Sequence, residues 1–98
     1  MPEGFLVVEL NVGSSVGRSE VAALCGQLKE ALSAGEGVRL DVSETASLSP
    51  ALAQLIVAAG RAAQGAGLAF VLSSPRPDLV DGFQELGLFG ELMTLSME

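Results

Sequence analysis

VRLDVSETASLSPALAQLIVAA, Val38 to Ala59, is the stretch whose reading decides the fold. Val38 to Val42 is short, apolar and β-branched, which predicts a buried strand. Ser43 to Ser47 is polar and suits an exposed loop. At Ser49-Pro50 the chain acquires a helix start. A serine oxygen can accept from free backbone N–H groups, and a proline at the first helical position needs no N–H partner. From there Leu52, Leu55, Ile56, Ala59 and Ala63 repeat on one helical face. Sites in α/β proteins gather where strands end and helices begin. Here no histidine, cysteine, lysine or glycine-rich cradle accompanies the join, so recognition is expected of it and chemistry is not.

The same alternation extends to both sides. Phe5 to Val12 reads as a first strand, Gly13-Ser14-Ser15 as a turn, and Val21, Leu24, Cys25, Leu28, Ala31 and Leu32 as the inner face of a first helix. Gly35 and Gly37 end that helix, and Gly65-Ala66-Gly67 ends the second. Leu68 to Leu72 is apolar throughout, which predicts a central strand covered on both faces. Pro75 or Pro77 opens a third helix with Leu79, Val80, Phe83 and Leu86 inside, and Gly87 caps it. Leu88 to Leu95 is read as a short turn and a terminal strand. The order predicts an α/β protein: a single four- to five-stranded mixed sheet backed by about three helices.

Composition narrows the function classes. With 98 residues the chain is expected to be one domain over 1–98, and 49% hydrophobic content with a mean hydropathy of +0.49 supplies ample core. No apolar run approaches the ~20 residues that span a bilayer. MPEGFLVVEL has no basic n-region and carries Glu9 in its apolar run, so no signal peptide is expected. Twelve acidic residues against five basic ones give a net charge of −7, unfavourable for nucleic acid and for anionic lipid surfaces. A cytoplasmic, bacterial-type protein with a protein partner fits these numbers.

Catalysis has few residues to work with. Zero histidines exclude histidine acid–base chemistry and a Ser-His-Asp triad. With one cysteine, Cys25, no internal disulfide forms, and a zinc or copper site lacks ligands. No metal, cofactor or enzymatic activity is expected. No GxxxxGK[ST] cradle exists, and Lys29 is the sole lysine. Glu36, Asp41 and Glu44 read as solvated carboxylates near strand ends. Asp78, Asp81 and Glu85 complement the start of the third helix. Ser73-Ser74 suits a cap, and Arg61 suits a solvated surface. Thr45, Ser47 and Gln54 have the small polar character of an adaptable contact surface.

In LDVS (Leu40–Ser43), the helix start near Ser49 and GLAFVLSSPRPDLVDGFQELGL (Gly67–Leu88), the chain resembles the STAS domain over roughly Phe5 to Leu95. That fold is shared by anti-sigma factor antagonists, small chemotaxis-operon STAS proteins and the STAS subunits of lipid-transport ABC complexes. The resemblance implies a phosphorylation turn after the second strand, Asp-Ser-(Ser/Ala/Thr)-Gly-Leu. Laid on without a gap, Asp41 and Ser43 match the strand's aspartate and serine. Leu48 matches the apolar residue before the turn, Ser49 its aspartate, Pro50 its phosphoacceptor and Leu52 its glycine. The turn is then degenerate, because proline has no hydroxyl. A one-residue gap would instead place Ser49 on the acceptor, with Leu48 where the aspartate belongs.

The function implied is a non-catalytic protein-interaction domain of a bacterial signalling pathway, docking through the strand-2/helix-2 edge and lacking the usual phosphoacceptor. The contact residues expected are Ser43, Glu44, Thr45, Ser47, Ser49, Pro50 and Gln54. The partner implied is a serine kinase or anti-sigma-type regulator, a chemotaxis component or a membrane-complex subunit, with no direct membrane insertion. Alternatives are a lipid-transport STAS subunit and a nucleotide- or small-ligand-binding STAS domain. A homodimer is a further alternative if Val57, Phe89 and Met93 prove exposed.

Overall fold

The computed structural model describes residues 7–13, 17–45 and 48–97. Their order is β1 (Val7–Asn11), α1 (Arg18–Ser33), β2 (Gly37–Asp41), α2 (Pro50–Gly65), β3 (Phe70–Ser73), α3 (Pro77–Glu85), α4 (Phe89–Met93) and β4 (Ser96–Met97). Phe5 and the Ser14-Ser15 turn lie outside the described residues. The α/β class and the strand-loop-helix handover at Val38–Ala59 stand as expected. The terminal segment adds a one-turn helix, α4, before its strand.

The four strands pair in chain order, β1-β2-β3-β4, and the three described pairings are all parallel, where a mixed sheet was expected. Each connection is therefore a crossover, and crossovers are right-handed almost without exception. A strand order that never reverses then sends every helix to the same side. The core follows this rule. Val8, Leu10 and Val12, Val38, Leu40 and Val42, and Phe70 and Leu72 share one face, and all belong to or pack against a single apolar cluster. Helix residues Leu24, Leu28, Leu52, Ile56, Ala63, Leu79, Phe83 and Leu92 complete it.

The opposite face carries Glu9, Arg39 and Val71 in register, followed by Asn11, Asp41 and Ser73. β3 lies inside the sheet, yet Val71 keeps partial exposure because the core draws on the other face. Full cover on both sides, which its apolar run predicts, is not found.

Helix ends repeat one solution. α1, α2 and α3 are each left through a left-handed glycine, Gly35, Gly67 and Gly87. The next residue in each case donates back into the final turn, as in Leu68 N to Ala63 O at 2.8 Å and Leu88 N to Phe83 O at 2.8 Å. These three were among the expected stops, whereas Gly37, also expected to end α1, opens β2, and Gly65 is the last residue of α2.

Candidate functional site

The carboxyl ends of β1 and β2 and the start of α2 form the edge expected to dock a partner. The Val12 N–H donates to Asp41 O at 2.9 Å and the Val42 N–H to Ser73 O at 3.1 Å, so the strand ends stay knitted one residue past their pairing. Asp41 then folds the exit of β2. Its Oδ1 accepts the Ser43 N–H at 2.9 Å. That backbone bond, with a second from the Ser43 side chain and the charge of Arg39, holds the Asp41 carboxyl below the usual carboxylate range. Ser43 and Glu44 remain exposed beside Asn11, bordering a shallow depression of about 240 Å³.

Thr45 corrects the sequence-based expectation. It is fully buried, and its Oγ1 is placed to donate to Val12 O at 3.3 Å and Gly13 O at 3.4 Å. A residue with no accessible surface cannot touch a partner in this structure. It bolts the loop after β2 to the end of β1. A β-branched residue three positions beyond Val42 was the available signal, and its polar neighbours masked it. Ser47 lies outside the described residues.

The α2 start is built as its sequence predicts. Ser49 is extended (φ −80°, ψ 154°), its Oγ accepts the Leu52 N–H at 3.1 Å, and Pro50 opens the helix. Ser49 is partly buried, whereas Pro50 and Gln54 are exposed. Ser43 and Glu44 thus border the depression beside Asn11, whereas Gln54 lines a different groove, with Arg61 and Glu91. Gly82 of α3 comes close to the residue before the cap: a Cβ there would lie within 2.9 Å of Leu48 Cβ. This close approach was not visible in the sequence.

The other half of α2 is tied to the C-terminal segment. A Cβ on Gly60 would overlap the Leu95 side chain, so the glycine lets that segment cross α2 at close range. Arg61, expected on a solvated surface, pairs with Glu91 at 2.6 Å. Gln64 Nε2 donates to Thr94 O at 2.8 Å. A groove of about 290 Å³ runs along this seam, lined by Gln54, Val57, Ala58, Arg61, Leu88 and Glu91. Cys25 is partly buried and lines a separate apolar groove between α1 and α2.

Comparison with known proteins agrees with this architecture. The family model for the Mlab STAS domain matches residues 5–95, and the chain belongs to the STAS domain family. No curated protein matches it in sequence. In three dimensions it is similar to the protein TM1081, solved by NMR, with a TM-score of 0.76 at 17% identity, over 100% of this chain and 76% of that one. A chain from the stressosome, a signal integration and transduction hub, gives a TM-score of 0.73 at 20% identity, over 93% and 79%. The crystal structure of TM1081 from Thermotoga maritima, assigned as an anti-sigma factor antagonist, gives 0.68 at 16% identity, over 99% and 80%. Among the described residues no helix is long and apolar enough to cross a membrane.

Proposed function

We propose that the chain is one non-catalytic protein-interaction domain of a bacterial, cytoplasmic signalling pathway. It docks a regulatory protein through Ser43, Glu44, Ser49, Pro50 and Gln54, with Ser47 as a further candidate. The observation that carries this is the join itself. The Ser49 oxygen is engaged as a helix cap at 3.1 Å and Pro50 follows it, so the edge offers an ordered recognition surface with its hydroxyl in structural use. This turn therefore works without a phosphoacceptor switch. The partner classes are a serine kinase or anti-sigma-type regulator and a chemotaxis component. The match to the Mlab STAS domain favours a second reading, the STAS subunit of a lipid-transport ABC complex.

Affinity capture with the intact chain and with Glu44→Lys/Gln54→Lys tests the edge. Loss of a kinase, chemotaxis or transporter component from the variant is expected, and its full retention overturns the assignment. Ser49→Asp tests the missing switch. Aspartate caps as well as serine does, so fold stability and partner affinity are both expected to persist. A selective loss of affinity would restore the switch.

A further inference from the structure

Large apolar side chains left in solvent are concentrated at the α3–α4 corner. Among the described residues, Leu86 (38% exposed), Phe89 (41%) and Met93 (50%) follow one another there, whereas Val57, on the opposite flank of the groove, is buried. Phe89 and Met93 stand four residues apart on α4 and so share one side of it. Immediately before them, Asp78, Asp81 and Glu85 are spaced along one exposed stripe of α3. No lysine or arginine follows Arg76 in the chain, and Arg76 reaches Asp78 only at 4.0 Å. The corner is also held in place. The Arg61–Glu91 pair, the Gln64–Thr94 bond and the packing of Leu95 into Gly60 fix α4 against α2. An apolar ridge that is rigid before binding loses little freedom on being covered.

From these features we infer that the α3–α4 corner is a second docking surface, whose occupant is a basic amphipathic helix of another protein. Its apolar side covers Leu86, Phe89 and Met93, and its cations meet Asp78, Asp81 and Glu85. Charge selects this occupant over a second copy of the chain. An isologous dimer would bring two acidic stripes together in a molecule already at −7. The surface is separate from the strand-2/helix-2 edge and does not depend on that assignment.

The probe is a synthetic amphipathic Leu/Lys helix of about four turns, with an analogue carrying Gln in place of every Lys. Amide-shift mapping on the intact chain should place the Leu/Lys peptide at residues 78–97, with affinity that falls as salt is raised. Phe89→Ser/Met93→Ser and, separately, Asp81→Lys/Glu85→Lys should each weaken it about tenfold or more. All four positions are exposed, so both variants are expected to keep the wild-type spectrum elsewhere. Four outcomes overturn the inference: no binding, shifts centred on Ser43–Gln54, equal binding of the Gln analogue, or binding indifferent to Phe89 and Met93. A concentration-dependent dimer in sedimentation that Met93→Ser abolishes would also overturn it, since a second copy would then be the occupant.

Discussion

The two halves of α2 are held by opposite kinds of interaction. At its start, Ser49 caps Leu52 and Pro50 sets the first turn, both within four residues of chain. In its second half, Gly60 admits Leu95, Arg61 meets Glu91 and Gln64 meets Thr94, each about thirty or more residues away. The first set is local and makes the helix begin. The second is long-range and determines what the helix packs against. A helix start can thus be specified by a few neighbours, while the surface around it depends on the whole chain.

The largest effect is expected where the long-range half is most crowded. Gly60→Val places branched atoms in space that Leu95 fills, and overpacking of this kind costs about 1–3 kcal/mol. Thermal or urea unfolding measures it. A loss below a few tenths would mean that Leu95 moves aside freely. Next, Thr45→Val keeps the shape of the bolt and removes its hydroxyl. Two carbonyls at the end of β1 lose a donor, at about 1–2 kcal/mol. Faster amide exchange at Asn11–Gly13 and Ser43–Thr45 should accompany that loss.

The local half is gentler. Ser49→Ala removes the α2 cap and should cost about 1 kcal/mol, seen as a lower midpoint in urea with an unchanged slope. Arg61→Ala, Glu91→Ala and their combination form a double-mutant cycle. With the arginine side chain 67% exposed, coupling of about 0.5 kcal/mol is expected, shrinking as salt is raised. The smallest effect belongs to Asp41. Its carboxyl sits below the ordinary range because Ser43 bonds to the charged form. That contribution is complete above the unfolded-state pKa and disappears as pH falls through the lower folded-state one. Asp41→Asn should therefore lower stability slightly at neutral pH and leave it unchanged at the acid end, which flattens the acid limb of the stability–pH curve.

Much of the frame was legible in the sequence because its causes are local. Apolar runs following a glycine marked β2 and β3, a 3.6-residue period marked α1 and α2, and Gly35, Gly67 and Gly87 marked helix exits. One misreading has a long-range cause. Thr45 was grouped with the polar loop around it, and only the position of Val12 and Gly13 shows that it points inward. Arg61 does meet solvent as expected, its side chain 67% exposed, and the carboxylate it also pairs with lies thirty residues downstream. Gly60 could have raised suspicion, since a glycine in an apolar helix lowers its stability unless something approaches closely. Which residue approaches was beyond the reach of spacing.

The sequence by itself determined the alternation of strands and helices, the scarcity of catalytic groups and the helix start at Ser49-Pro50. Those follow from residue chemistry and from contacts a few positions apart. Only the tertiary structure decided that the strands run in unbroken order with the core on one face. It also decided that Thr45 is a bolt and Gly60 a crossing point, and that Phe89 and Met93 stay in solvent while Val57 does not. Each depends on where distant segments meet, and a one-dimensional pattern carries no record of that.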